Sequence, residues 1–426
     1  MSRIGYIFLL ACCIGGFTAS RAQTEKVIIL EHADSLKGRV IDGEQARELI
    51  GHVQIRQENI LIRCDRGLQM IRSGIVYLYG HVILTDDTVT ITAPRAVYYR
   101  DDRRAEGLDS VTLDDGKSHL RARYGDYLVR SGRAFFAGDV VLQDSASTVT
   151  ADTLTYLRGE RVSIATGLVT VFSRTENLAM RGGNLYNDGR TSFSRMTVSP
   201  ILVQWDTAAA GKRDTLIVRA RALESVRDSV RRLIARDSVV ITGTNLTATA
   251  DRALFFTEGD SILLRGHPII WYGVTQVTGD SVDVHLALRQ LREVRVMGSA
   301  FAISQSDSLH PGRYHQLTGE TLDLIFEKKI VKRIQAETRA VSVYYLYEDS
   351  VANGLNKSSG DRIVLLFEGG RLRSLKFIGG VEGQYVPEPV LAGREADYRL
   401  PGFVVRESPP RPPDKELAWI TRAQVR

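Results

Sequence analysis

The sequence predicts an all-β chain built by stacking one unit of about 29 residues, two strands to a unit. Three observations carry this. A repeat keeps its apolar residues in fixed columns, apolar and polar residues alternate within each unit, and turn-forming residues separate the runs.

Stacked at a spacing of 29, five lines align without a gap. They begin at Gly51 (GHVQIRQENILIRCDRGL), Gly80 (GHVILTDDTVTITAPRAV), Asp109 (DSVTLDDGKSHLRARYGD), Gly138 (GDVVLQDSASTVTADTLT) and Gly167 (GLVTVFSRTENLAMRGGN). The third column reads Val53, Val82, Val111, Val140 and Val169; the fifth reads Ile55, Leu84, Leu113, Leu142 and Val171. The twelfth reads Ile62, Ile91, Leu120, Val149 and Leu178, and the fourteenth Cys64, Ala93, Ala122, Ala151 and Met180. Spacing by two puts each set on one face of a strand, and the Asp, Thr, Ser, Gly and Asn between the sets favour a turn. Such a unit has one apolar face that it cannot bury alone, so it must stack on its neighbours.

The pattern returns at Asp237 (DSVVITGTNLTATADRALFF) and at Gly266 (GHPIIWYGVTQVTGDSVDVHL), with Ala250-Asp251 and Gly279-Asp280 where Ala151-Asp152 stood. Between them and the first block, residues 196–236 run 12 longer than one unit, an excess assigned to the loop around WDTAAAGKRD, 205–214. Echoes at Ala33-Asp34, Gly319-Glu320 and Gly360-Asp361 bring the total to roughly eleven units, with polar insertions near SQSDSLHPGRY and EDSVANGLNKSSG. With one strand per unit in each of two sheets, eleven units would extend roughly 50 Å. ALESVRDSVRRLIAR, 222–236, has helical spacing in Leu223, Val226, Val230, Leu233 and Ile234. The register of the repeat favours strands there instead. After Tyr385 the chain holds seven of its eleven prolines, which predicts an extended tail or loosely docked strap rather than more sheet. The expected organisation is 1–22 a signal peptide, 23–204 a first repeat segment, 205–236 an insertion with connecting strands, 237–386 a second repeat segment and 387–426 the tail.

The signal peptide is expected from Arg3, the apolar run Ile4–Ala19 and the small residues Ser20 and Ala22. Cleavage after Ala22 lowers the formal charge from +6 to +4. LLAC, ending at Cys12, also has the form of a lipobox, although the apolar run before it is short. In either case Cys64 is the main remaining thiol, so no disulfide framework supports the fold. The positive charge is Arg interspersed with Asp rather than a basic block, which argues against a nucleic-acid partner. No later stretch has 18 consecutive apolar residues.

Residues that could carry chemistry have plainer roles. His52, His81 and His267 share the second column, opposite the valines, and are expected to face solvent rather than to form a metal ladder. Asp65, Asp152, Asp251 and Asp280 recur once per unit, as a turn acceptor would, whereas a catalytic pair would be unique. Cys64 stands in an inward column as a small hydrophobe. The tyrosines of YLYG, AVYY and VYYLY are expected to cap a core at strand ends. No fingerprint of a metalloprotease, nucleophile elbow, P-loop or dinucleotide site is present, so neither an enzymatic activity nor a cofactor is expected.

The unit G-x-V-x-L … T-x-T-A-D-x-L-x-Y resembles the OstA-like family, the periplasmic lipopolysaccharide-transport proteins represented by LptA and the N-terminal domain of LptD. The resemblance covers roughly Ala33 to Gly383, and the tail with LPGF, Leu400–Phe403, is similar to the tails of long OstA-like proteins. The chain is longer than a typical LptA. The resemblance implies an elongated open β-jellyroll, or β-taco, whose interior shields lipopolysaccharide acyl chains in the periplasm, in association with the outer membrane. It implies lipopolysaccharide or a related glycolipid as ligand. Other Lpt-type jellyroll proteins, or further copies of the chain, would join by edge-strand addition.

The columns at positions three, five and twelve of the five lines, Val53 to Leu178 as given above, would then face lipid. A physical argument runs beside the resemblance. Leaving one 14-carbon chain in water costs on the order of 10 kcal/mol at about 0.8 kcal/mol per methylene. A lipid carrier therefore needs a continuous apolar groove. A dry, filled core would produce the same columns, so two alternatives stand. One is a right-handed β-helix acting on or adhering to polysaccharide, and the other is a structural filament scaffold without lipid.

Overall fold

The structure, a computed structural model, describes residues 27–420 except 87–88, 174, 176, 206–214, 228–229, 245, 257–259, 288–289, 307–308, 311, 328–329, 349–350 and 370. The expected signal peptide, the Cys12 lipobox and most of the 205–214 loop lie outside the described residues.

Nearly all of the described chain is antiparallel strand, and the recurring element is a strand with a corner in it. Ile75–Asp86 and Val89–Tyr99 show how it forms. Their pairing runs from Ile75↔Tyr99 to Tyr79↔Arg95, skips, and resumes from Val82↔Ala93 to Asp86↔Val89. The skip is a β-bulge, which bends a strand and turns its side chains. Gly80 and His81 occupy it with φ of +72° and +43°. A Cβ on Gly80 would lie 2.2 Å from the Asp65 carboxylate, and that carboxylate accepts a hydrogen bond from His81 Nδ1 at 2.8 Å. A carboxylate likewise fills the space beside Gly51 (Asp34), Gly167 (Asp152), Gly266 (Asp251), Gly298 (Asp280) and Gly379 (Asp361). At Gly138 the charges are exchanged, with Arg123 meeting Asp139.

Because the corners fall in register, one sheet folds into two layers. Segments such as 75–79 and 95–99 form the first layer, and 82–86 and 89–93 the second. The corners make a spine, and the hairpin tips of both layers meet along the opposite side, the mouth. Alternation then turns Val76, Leu78, Ala96 and Tyr98 of the first layer toward Val82, Leu84, Ile91 and Ala93 of the second, all of them buried. This is an elongated all-β jellyroll.

Four expectations are corrected or sharpened. Every pairing among the described residues is antiparallel, which rules out the parallel coil of a β-helix. Each unit gives two strands, not one, to each layer. The strand after Asp65 or Asp152 continues past the corner to its own hairpin tip. Eleven units therefore extend on the order of 100 Å, not 50 Å. The 222–236 stretch is strand, Ala222–Arg227 and Arg231–Thr242, paired Leu223↔Ala235. Nine residues separate Ile201–Trp205 from Thr215–Arg219, whose ends pair as Trp205↔Thr215, against two between Asp86 and Val89, so most of the 12-residue excess falls there.

The tail is docked more firmly than expected. After Glu382–Pro387, which pairs with Val351–Glu368, the chain forms two short helical turns, Glu388–Leu391 and Glu395–Tyr398. Leu391 and Leu400 are buried on Phe301, Ile303, Val343, Tyr345 and Leu355. The buried guanidinium of Arg313 bonds Glu388 and Glu395 at 2.6 and 3.1 Å. The chain then crosses the outer face of the second layer, held through its backbone. Gln316 donates to Tyr398 O and accepts from Leu400 N; Gln276 does the same with Val404 O and Arg406 N. Its end sets Leu417, Trp419 and Ile420 against Ala179, Val203, Trp205 and Ile217. Proline suits such a strap, because its backbone serves as acceptor and needs few donors of its own.

Two predictions follow from the corners and the inward face. Gly80→Ala forces a side chain into a left-handed conformation against Asp65 and should cost about 1–3 kcal/mol. Gly38→Ala, with open space around it, should change stability by less than about 0.5 kcal/mol; urea-unfolding midpoints of the two variants check both. Cys64 is 5% exposed, and burial pushes its thiol up to about 11. Iodoacetamide at neutral pH should leave Cys64 unmodified in the native protein and label it after unfolding, as peptide mass spectrometry would show.

Candidate functional site

The inward columns come together. Val53, Ile55, Ile62, Val82, Leu84, Ile91, Val111, Leu120, Val140 and Val169 are buried, and Leu113, Leu142, Val149, Val171 and Leu178 are half-buried against the same interior. The half-buried members sit beside the mouth in the third to fifth lines. The interior therefore lies nearer to solvent there than it does around Leu84 and Ile91.

The facing layer is built differently. Its inward positions include Gly67, Ala96, Ala105, Gly107, Gly125 and Ala134, with Leu78, Tyr98, Tyr127 and Phe136 among them. A Cβ on Gly107 would lie 2.7 Å from Val111, and one on Gly125 would lie 3.0 Å from both Val111 and Phe136. Small residues on one layer thus let the large ones of the other approach closely. A slender apolar cavity remains between Leu78, Val82, Leu84, Ile91, Ala105 and Phe136, of about 20 Å³. A second of about 30 Å³ lies between Ile270, Tyr272, Val294 and Phe326. Spaces of this size hold one or two water-sized spheres. An acyl chain would have to part the layers to enter.

The mouth of the first half is fastened by polar side chains that the column analysis missed. Tyr98 donates its hydroxyl to Gln57 Oε1 at 2.5 Å, and Gln57 Nε2 donates to Arg100 O at 3.3 Å. One unit on, Tyr127 donates to Asp86 Oδ2 at 2.5 Å, and Arg158 reaches the same carboxylate at 3.3 Å. Arg103 pairs with Glu58. Except for the Gln57 amide, which also donates to Arg100 O, a first-layer tip supplies the donor and a second-layer tip the acceptor. Gln57, Asp86, Tyr98 and Tyr127 are buried. Burial pushes the Tyr127 hydroxyl up to about 12 and the Tyr98 hydroxyl higher still, so both are donors at any physiological pH. A signal existed in the sequence: Tyr98, Tyr127 and Tyr156 stand 29 apart, as do Gln57 and Asp86. The expectation that AVYY caps a core at a strand end fits Tyr98.

The histidines stand on the outer spine. His52, His81 and His267 are exposed and face Asp34, Asp65 and Asp251 at 2.9, 2.8 and 3.8 Å. The Asp34 carboxylate raises the pKa of His52, and His52 lowers that of Asp34. The recurrent aspartates are thus corner residues, each bound to its own bend.

Residues 25–157 match a family described as OstA-like protein. Among solved structures the chain is similar to LptH from Pseudomonas aeruginosa, described as the LptA homologous periplasmic component of the conserved lipopolysaccharide transport device. The identity is 15%, covering 33% of this chain and 95% of that one, with a TM-score of 0.26. A likeness that slight adds nothing to the geometry above. No curated protein matches the chain. The matched stretch, residues 25–157, carries the first three repeat lines and the opening of the fourth, and it is this stretch that is similar to OstA-like proteins.

Proposed function

We propose that the protein is a non-enzymatic periplasmic lipid carrier that takes the acyl chains of lipopolysaccharide or a related glycolipid between its two layers and shields them in transit to the outer membrane. The observation that carries this reading is the unbroken inward column of Val, Ile and Leu, Val53 to Leu178, inside an OstA-like fold. It is supported by the way the layers are joined. Ladder hydrogen bonds run from strand to strand along the stack within each layer, and each strand passes between layers only at its corner. Opening the mouth therefore breaks side-chain contacts and clasps but leaves the ladder intact. Each 14-carbon chain buried in return contributes on the order of 10 kcal/mol.

The two ends fit strand addition. Among the described residues, Ser35–Ile41 and Ile29–His32 form one free edge, with Ile29, Leu36 and Val40 exposed. Arg371–Ile378 and Glu382–Pro387 form the other, with Ile378 and Tyr385 exposed. Unpaired strand edges accept further strands, from another Lpt-type jellyroll protein or from a second copy. The close approach of the layers at Gly107 and Gly125 favours a second reading, a filament scaffold with a permanently dry interior.

Mass spectrometry of lipid extracted from the gently purified mature protein separates the two. Acyl-chain lipid is expected; its absence, even after incubation with excess lipopolysaccharide, would favour the scaffold. Val140→Asp puts an unpaired charge into the interior and should cost roughly 3–5 kcal/mol or abolish lipid uptake. A Val140→Asp protein that folds normally and still carries lipid would show that the inner face has been misassigned.

A further inference from the structure

Apart from the Gln57 amide, which also donates to Arg100 O, the clasp side chains along the mouth divide donors from acceptors in a way that sheet packing does not require. Tyr98, Arg103, Tyr127 and Arg158 stand on the first-layer lip, and Gln57, Glu58 and Asp86 on the second. With the mouth shut the two sets pair with each other. When the layers part to admit a chain, the acceptors swing away and four donors line one lip, directly above the apolar interior. Stranded donors of this kind are destabilising unless something replaces the lost acceptor. One donor already lacks a partner: Arg103 Nε is buried and has no hydrogen-bond acceptor among the described residues. Asp101 and Asp102 share the Arg103 turn, but both are exposed, and Asp101 is bonded to Arg100 at 3.1 Å.

The geometry points to an anionic headgroup site on the first-layer lip. The phosphate of an amphiphile whose chain occupies the interior binds Arg103 and Arg158, with the Tyr98 and Tyr127 hydroxyls, in place of Glu58 and Asp86. The site rests on the carrier reading and deepens it, since it names the chemistry that the lip selects. Guanidinium–phosphate pairs are strong because the charges and the forked donors match. Glu58 and Asp86 act as an internal competitor, so loading is an exchange of one acceptor set for another.

The test uses the mature full chain and three probes: dodecyl phosphate, dodecyl maltoside as a neutral headgroup on the same chain, and inorganic phosphate. Calorimetric titration below the micellar range should show dodecyl phosphate binding at least about tenfold tighter than dodecyl maltoside. Arg103→Gln with Arg158→Gln should remove most of that preference while leaving dodecyl maltoside affinity in place. Arg103→Lys should keep part of the preference. Glu58→Gln should raise dodecyl phosphate affinity severalfold, because it removes the competitor; a merely structural clasp would predict no gain.

Equal affinity for the two amphiphiles overturns the site and leaves the carrier standing. Equal weakening of both by the arginine variants, or a loss of affinity in Glu58→Gln, also overturns it. Inorganic phosphate binding as tightly as dodecyl phosphate would mark a free-anion site and overturn the headgroup assignment. If neither amphiphile binds, the carrier reading fails and the headgroup site fails with it.

Discussion

The structure depends on one backbone event repeated in register: a strand that turns at a glycine and a left-handed residue, with a neighbouring aspartate filling the space a Cβ would have taken. A strand with alternating apolar residues makes a flat sheet with one greasy face in water. The corner folds that sheet on itself, so each strand supplies both walls of its own interior. The carboxylate beside the glycine makes the bend specific, because any side chain at Gly51, Gly80, Gly167 or Gly266 would collide with it. Where Gly138 lacks an aspartate partner, Arg123 and Asp139 supply the same attraction with the charges exchanged.

The interior is closed by contact rather than by covalent or ladder bonds, and its walls are unequal. Bulky aliphatic residues stand on the second layer and small ones on the first, so the layers approach until little space remains. The polar groups at the mouth then complete the seal. A buried carboxylate such as Asp86 is tolerable there because Tyr127, Arg158 and the Val89 backbone N–H all bond it. Apolar contact sets how tightly the walls meet, and the clasps set where they meet.

The second-layer columns were legible in the sequence because Val, Ile and Leu keep their places through five lines. The first-layer columns were not, because glycine and alanine at Gly67, Ala96, Gly107 and Gly125 carry no hydrophobic signal. The same omission halved the expected strand count: a strand that bends at Asp65 or Asp152 looks as if it ends there. At 222–236 the chain reverses between Arg227 and Arg231, so the alternation changes phase and two strands imitate helical spacing. The strap announced itself by its prolines. Its landing place could not be read, because Gln276 and Gln316 hold its backbone from 82 to 130 residues away.

The strap runs across the second layer rather than along any strand, from Leu355 past Gln276 and Trp271 to Thr215 and Val203. A batten nailed across planks resists their sliding and curling, and here the planks are hairpins far apart in the chain. In the C-terminal half this stiffens one wall and leaves the other unbraced. Any widening of the cleft there falls to the unbraced wall, swinging about the spine like a door on a fixed frame.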